Sequence, residues 1–199
     1  MKHYLQVVTL VLFFSQLFGW QTVYGEVKSL SVDKAHSNIY FSIDHIFSKI
    51  NGRFDDFEAE IRFDPADLEG SRFYFKIMVD SIDTNIAKRD KHLLSSDFFD
   101  AGKYPEMTFE SVSITDMGDS RFDVLGKLTV KGQVYDFVLP LVFAGVKDHP
   151  AISGKKVAGF NGTVTLDRLA YRVGGGKFYD MGIIGKDVDV LVSLEALSR

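Results

Sequence analysis

An all-β domain of about eight antiparallel strands is the fold class this sequence predicts, and three observations predict it. Eight separate segments alternate apolar and polar residues with period two, the signature of a half-buried strand. The links between them are mostly short and contain Gly, Asp or Asn, residues that turn a chain. One segment, Asn85 to Leu94, reads as a helix instead, with Ile86, Leu93 and Leu94 as its apolar anchors.

The N-terminus comes first. Lys2 and His3 form a short basic end, Leu5 to Phe18 is almost wholly apolar, and Val23-Tyr24-Gly25 offers small residues to a signal peptidase. This order predicts a secretory signal over residues 1–25, cleaved after Gly25. The apolar stretch falls short of the ~20 residues a membrane helix needs. Residues 26–199 are then one exported, periplasmic domain, long enough for one core. The chain has no cysteine, so disulfides, thiol chemistry and lipid attachment at the signal junction are not expected. The net charge is −4 with both signs scattered, which does not suit nucleic-acid binding. Phe is in surplus, 18 against 8 Tyr and one Trp, and this much apolar ring must fill a core or line a cavity.

In the first strand Ile39, Phe41, Ile43 and His45 share a face, with Tyr40, Ser42 and Asp44 opposite. Gly52 to Phe63 is second. The third is the clearest: Phe73, Phe75, Ile77 and Val79 face one way, Arg72, Tyr74, Lys76 and Met78 the other. Met107–Ile114, Phe122–Val130, Val134–Val142 and Val157–Leu166 follow, and Val188 to Glu195 is last. Eight such strands close as a barrel, which removes exposed edges, or stack as a two-sheet sandwich; periodicity does not separate these. Gly52, Gly126, Gly159 and Gly162 fall in or beside strands, where they leave room beside the rings. The helical stretch interrupts the strands between Thr84 and Pro105, an insertion of the kind that makes a lid or mouth. Gly174-Gly175-Gly176 before Lys177 lacks phosphate-loop spacing and reads as a flexible hairpin link. Asn161-Gly162-Thr163 matches a glycosylation triplet, but a bulge or close packing at Gly162 explains it better.

Catalytic signals are sparse. His36, His45, His92 and His149 lack metal-ligand spacing, and no Gly-x-Ser-x-Gly elbow occurs. Asp55 and Asp56 are adjacent on a strand and point apart, so they form no carboxylate pair. His45 lies on an apolar face. It is a hydrogen-bonded core residue, a polar group in a cavity or, less simply, a metal ligand.

Several motifs, taken in order, resemble one family. Val32-Asp33-Lys34-Ala35-His36-Ser37-Asn38-Ile39-Tyr40-Phe41 with His45, Gly52 to Phe57, Ser81 to Asn85, Arg89 to Leu93, Tyr104-Pro105 through Ser111, and Gly126 to Gly132 are similar to the YceI-like lipid- or polyisoprenoid-binding family. The final third departs: Arg168-Leu169-Ala170-Tyr171-Arg172 stands where the family often has Arg, two residues and Phe-Gly. The resemblance implies a lipocalin-like, eight-stranded barrel with one short helical insertion. It also implies a carrier or reservoir for a long-chain isoprenoid, quinone or polyprenyl, or a similar lipid, with no other cofactor and no metal. Lipid contacts are then expected at Ile39, Phe41, Ile43, His45, Phe54, Phe73, Phe75, Ile77, Met107 and Phe109. The polar mouth is expected at His36, Arg89, Asp90 and His92, although the Arg89–His92 cluster also reads as scaffold. Transient membrane contact during loading, and a monomer or homodimer, fit this picture. The alternatives are an enzyme acting on bound lipid with His45 as base, and an outer-membrane barrel. The charged outward faces at Arg72, Lys76, Asp123 and Lys127 argue against the latter.

Overall fold

Each of the eight alternating segments forms strand, and the ladder between them closes on itself. The computed structural model describes residues 29–198, so the signal-peptide reading of residues 1–25 lies outside the described residues. The strands are β1 (Ser29–Val32), β2 (Asn38–His45), β3 (Ser48–Phe54), β4 (Phe57–Arg62), β5 (Arg72–Met78) and β6 (Ile82–Asp83), then β7 (Glu106–Gly118), β8 (Arg121–Val130), β9 (Gln133–Asp148), β10 (Lys156–Asp167) and β11 (Ile184–Ser198). Two helices join them, α1 (Ala87–Leu94) and α2 (Lys177–Asp180).

The eleven strands make eight staves. β1 and β2 lie end to end along one edge of β11, with Val32 opposite Ala196 and Asn38 opposite Ser193. β3 and β4 pair with β2 and β1 in turn, broken at Asp55-Asp56. β5 and β6 continue each other across a single 3-10 turn, Val79–Ser81. The stave order is then β1/β2, β3/β4, β5/β6, β7, β8, β9, β10, β11 and back to β1/β2, antiparallel throughout. This is a closed eight-stranded barrel, so the sandwich is excluded. Asp55 and Asp56 sit in a break rather than on a strand. Each meets a cation instead: Arg53 Nε lies 2.5 Å from Asp55, and Lys34 Nζ 3.0 Å from Asp56.

Alternation decides inside from outside. Phe73, Phe75 and Val79 are buried, while Arg72 is exposed and Lys76 turns outward to Glu58 at 2.9 Å. Lys127 pairs with Asp136 on the outer face in the same way. An apolar interior with ion pairs outside is the reverse of an outer-membrane barrel, which turns its apolar band to lipid.

The two ends of the barrel are filled differently. At the end where β4 turns to β5 and β8 follows β7, Phe63 is the hub of an aromatic cluster. Its ring centroid lies 5.1 Å from Phe122 and Phe143, 5.3 Å from Phe160 and 5.7 Å from Phe73. Tilted and edge-on packing of this kind suits the ring quadrupole and leaves little space. At the opposite end stand α1, the loop after it, and the connection between β10 and β11.

That connection departs from the expected hairpin link. A link of residues 168–183 spans the open end, and it carries α2 as a second short helix. Val173 packs with Phe98 and Val130, and Phe178 lies against them, so apolar burial holds the connection in place. Gly174 has φ +77°, and a Cβ there would stand 2.7 Å from Arg168 Nη1.

One seam weakens the wall. β9 and β10 pair only from Lys156 opposite Asp148 to Asn161 opposite Val142. Toward the mouth, Gln133 to Leu141 pair with β8 alone. Pro140, which has no N–H to give, stands where the pairing stops. Gly162 faces it closely: a Cβ there would lie 2.5 Å from the Pro140 carbonyl oxygen. Close packing thus explains the glycine in the Asn161-Gly162-Thr163 triplet.

Candidate binding cavity

Above the packed phenylalanines the barrel encloses a cavity of about 260 Å³. This is just below the roughly 300–1,000 Å³ of small-molecule sites. All eight staves contribute apolar side chains to its wall, among them Phe54, Phe75, Phe109, Phe137, Val164 and Val190. The polar lining is confined to Thr84, Arg89, His92, Arg168 and Tyr171, all from the mouth segments. The site is a greasy tube with a short polar collar, and among the described residues no Asp or Glu lines it.

Glycines shape the wall. Gly52 pairs across from Phe41, and a Cβ there would come within 2.3 Å of the Phe41 ring. Gly126 seats Phe109 in the same way, with both the ring and the Glu110 carbonyl oxygen 2.5 Å from a would-be Cβ. Both rings occupy the space that a side chain at the glycine would take. The room left beside the strands is therefore used to press Phe41 and Phe109 against the wall, which keeps the lumen open.

The expected lipid contacts divide. Ile39, Phe41, Ile43, Phe54, Phe75, Ile77, Met107 and Phe109 line the cavity. His45 and Phe73 do not. β2 ends at His45, level with Ile184, and the chain turns away at Ile46. The period-two pattern carries His45 to the inner side of the strand, but at its last residue and outside the cavity lining. Phe73 points inward at the filled end, 5.5 Å from Phe160, where no lumen remains.

The expected mouth residues divide too. Arg89 and His92 line the collar. Asp90 stands behind it, its carboxylate accepting the Thr84 N–H at 3.0 Å and the Thr84 hydroxyl. Arg89 Nε donates to Thr84 Oγ1 at 2.7 Å and Nη2 to the Thr84 carbonyl at 2.6 Å. These bonds stitch the first turn of α1 to the end of β6, which is the scaffold role. His92 Nε2 is 3.1 Å from Asp97, and its ring packs edge-on to Phe98 at 5.0 Å.

His36 is elsewhere. It lies on the outer wall in the turn between β1 and β2, exposed, with Nδ1 2.9 Å from Asp33. This bond raises the His36 pKa above its ordinary value and lowers that of Asp33. Glu195 stands close enough to join them as a three-ligand group. Solvent-exposed acids gather this way without an ion, and the group has no access to the cavity.

Like Thr84 and Tyr171, Arg168 is a collar residue that the sequence motifs left unassigned. It is 6% exposed and sits just past the end of β10. Nε donates to the Gly185 carbonyl at 2.8 Å and Nη1 to the Val173 carbonyl at 2.9 Å. Burial pushes its pKa down, against the pull of the neighbouring Asp167 carboxylate. Tyr171 packs its ring 4.8 Å from Tyr135, and burial raises its phenol pKa. The signal for this pair was in the departed motif: the leading Arg of Arg-x-x-Phe-Gly is kept at 168, and an aromatic at 171. Arg172 occupies the glycine position with φ +58°, a left-handed backbone that glycine adopts without strain.

Comparison with known proteins agrees with the barrel and its motifs. Residues 30–196 match the YceI-like domain. The UPF0312 protein of Vibrio cholerae serotype O1 is 37% identical over 151 residues, 74% of this chain and 79% of its own. The crystal structure of Burkholderia cenocepacia BcnA superposes with a TM-score of 0.72 at 27% identity, over 84% of this chain and 99% of that one. A polyisoprenoid-binding domain from Saccharophagus degradans, implicated in plant cell wall breakdown, shares the fold. Its TM-score is 0.59 at 17% identity, over 88% of this chain and 100% of that one. A closed eight-stranded barrel carrying these motifs in order, matched along nearly its whole described length, belongs to the YceI-like domain family.

Proposed function

We propose that this chain is an exported periplasmic protein that holds the tail of a long-chain isoprenoid, or a similar lipid, inside its barrel as carrier or reservoir. The observation that carries the reading is the division of the barrel, solid at one end and hollow at the other. A protein that needed only a core would fill both ends. An empty apolar tube forfeits dispersion contacts and offers water no partners. A lipid tail supplies those contacts, at about 0.8 kcal/mol per buried methylene. The polyisoprenoid-binding domain of Saccharophagus degradans, which has the same fold, supports the reading. The enzyme alternative with His45 as base is less favoured, since His45 is outside the cavity lining.

Protein purified from its native compartment should yield, on solvent extraction and mass spectrometry, a stoichiometric compound with a long apolar chain. Ligand at a hundred times Kd adds about 2.7 kcal/mol. Lipid-free protein should therefore melt roughly 5–10 °C lower, at the 2–4 °C per kcal/mol usual for this size. An empty extract, with no change in melting temperature on adding prenyl quinones, overturns the proposal.

Loading needs contact with a bilayer, and the mouth end is built for it. Phe47 at the tip of the β2–β3 turn is fully exposed, and Ile46, Ile86, Val134 and Met181 are exposed around the same rim. Apolar side chains grouped at an opening are suited to shallow insertion among lipid head groups. Phe47→Ser should slow lipid transfer from vesicles severalfold while leaving equilibrium affinity for dispersed lipid unchanged. Equal transfer rates in stopped-flow fluorescence would remove the rim from the pathway.

A further inference from the structure

We propose that Arg168 anchors the head group in the cavity, and that the lipid bound there carries an anionic head, a carboxylate or a phosphate ester. The proposal rests on the reading of the barrel as a lipid-binding protein and adds the chemistry of the ligand's polar end.

Among the described residues, Arg168 Nη2 is the only buried side-chain nitrogen or oxygen without a hydrogen-bond partner. It belongs to a residue that lines the cavity. The other two guanidinium nitrogens are held by the carbonyls of Gly185 and Val173, so the fork is fixed from behind. Both partners are neutral, and they satisfy N–H groups without offsetting the charge. The nearest acid in sequence, Asp167, is turned elsewhere: one oxygen accepts the Leu169 N–H at 2.9 Å and the other lies 3.6 Å from Lys186 Nζ. An arginine stays protonated in proteins, so the charge persists. A buried guanidinium with a free N–H pair and no facing carboxylate is a costly arrangement for a core.

An acceptor at the inner mouth removes the cost. A quinone or amide carbonyl would satisfy Nη2 and leave the charge alone. A carboxylate or phosphate oxygen does both, through a charge-assisted bond. The rest of the collar favours the anion. Arg89 adds a second cation, no Asp or Glu is among the described residues that line the cavity, and the phenol of Tyr171 offers a further donor. Arg89 is less suited to be the anchor, since two of its three nitrogens are committed to Thr84.

The test compares one tail with three heads. Farnesol, farnesoic acid and farnesyl monophosphate are titrated into the lipid-stripped mature protein by calorimetry at fixed salt. Wild type should bind one or both acids about 10- to 100-fold more tightly than farnesol, the factor expected for a hydrogen bond to a charged partner. The tighter of the two acids identifies carboxylate or phosphate as the natural head. Arg168→Met should bring the three affinities together while farnesol binding persists, and Arg168→Lys should retain part of the preference. Because Arg168 also braces two carbonyls, Arg168→Lys carries the test wherever Arg168→Met fails to fold: a preference reduced in Arg168→Lys supports the anchor, and a preference unchanged in it overturns the proposal. Equal binding of all three by wild type overturns the proposal and leaves the lipid reading intact. Failure of all three to bind overturns the lipid reading as well. Preference lost in Arg89→Met but kept in Arg168→Met also overturns it, by moving the anchor to the helix.

Discussion

Replacing Phe160 by alanine should lower the stability by about 3–5 kcal/mol, the range for removing a buried aromatic from a core that cannot collapse. Phe160 is 1% exposed and meets three rings, Phe63 at 5.3 Å, Phe143 at 5.4 Å and Phe73 at 5.5 Å. It stands on β10 opposite Leu194 of β11, so backbone ladders on either side keep the hole from closing. The lost contacts include edge-to-face pairs beyond simple burial. Chemical denaturation of the lipid-free variant measures the loss. The same variant should bind lipid with nearly wild-type affinity once folded, because Phe160 is absent from the cavity lining. A loss below about 1 kcal/mol would mean that the end described as solid has slack.

Two glycine substitutions should separate stability from binding. In Gly52→Ala the three atoms nearest the new methyl all belong to the outer end of the Phe41 ring, the closest at 2.3 Å. A side chain can swing, and the open direction for this one is the lumen it already lines. Lipid affinity should fall at least tenfold, because a ring swung into a cavity of about 260 Å³ displaces part of any tail. Stability should drop by less than about 1–2 kcal/mol. Gly126→Ala differs, since its methyl would stand 2.5 Å from the Glu110 carbonyl oxygen as well as from the Phe109 ring. Backbone cannot swing aside, so β7 and β8 must part, and the variant should lose about 3 kcal/mol or fail to fold. Adding Phe41→Leu to Gly52→Ala should restore affinity by returning the space. Unchanged binding in Gly52→Ala would show that the ring has another seat.

These expectations separate what the sequence determined from what it left open. The strands and their faces were legible because alternation is local: Phe73, Phe75 and Val79 had to share a side whatever they packed against. The helix at 87–94 was legible for the same reason, from its anchors and its interruption of the strand pattern. The breaks at Asp33–Ser37 and Asp55-Asp56 were not, because a stave that bends without leaving the ladder keeps its alternation. His45 and Phe73 show the limit most clearly. Both lie on the inner side of their strands, yet one stands at a strand end outside the cavity lining and the other in solid core. Depth along the barrel axis follows from stagger between neighbours, which no single strand encodes. His36 went to the outer wall because the turn that holds it bulges from a stave. Only the closed structure brought residues 168–183 over the mouth and turned Arg168 inward. Its neighbours there, Gly185, Val173 and the collar of α1, are assembled from distant parts of the chain, and the electrostatic cost of that burial exists only once they meet.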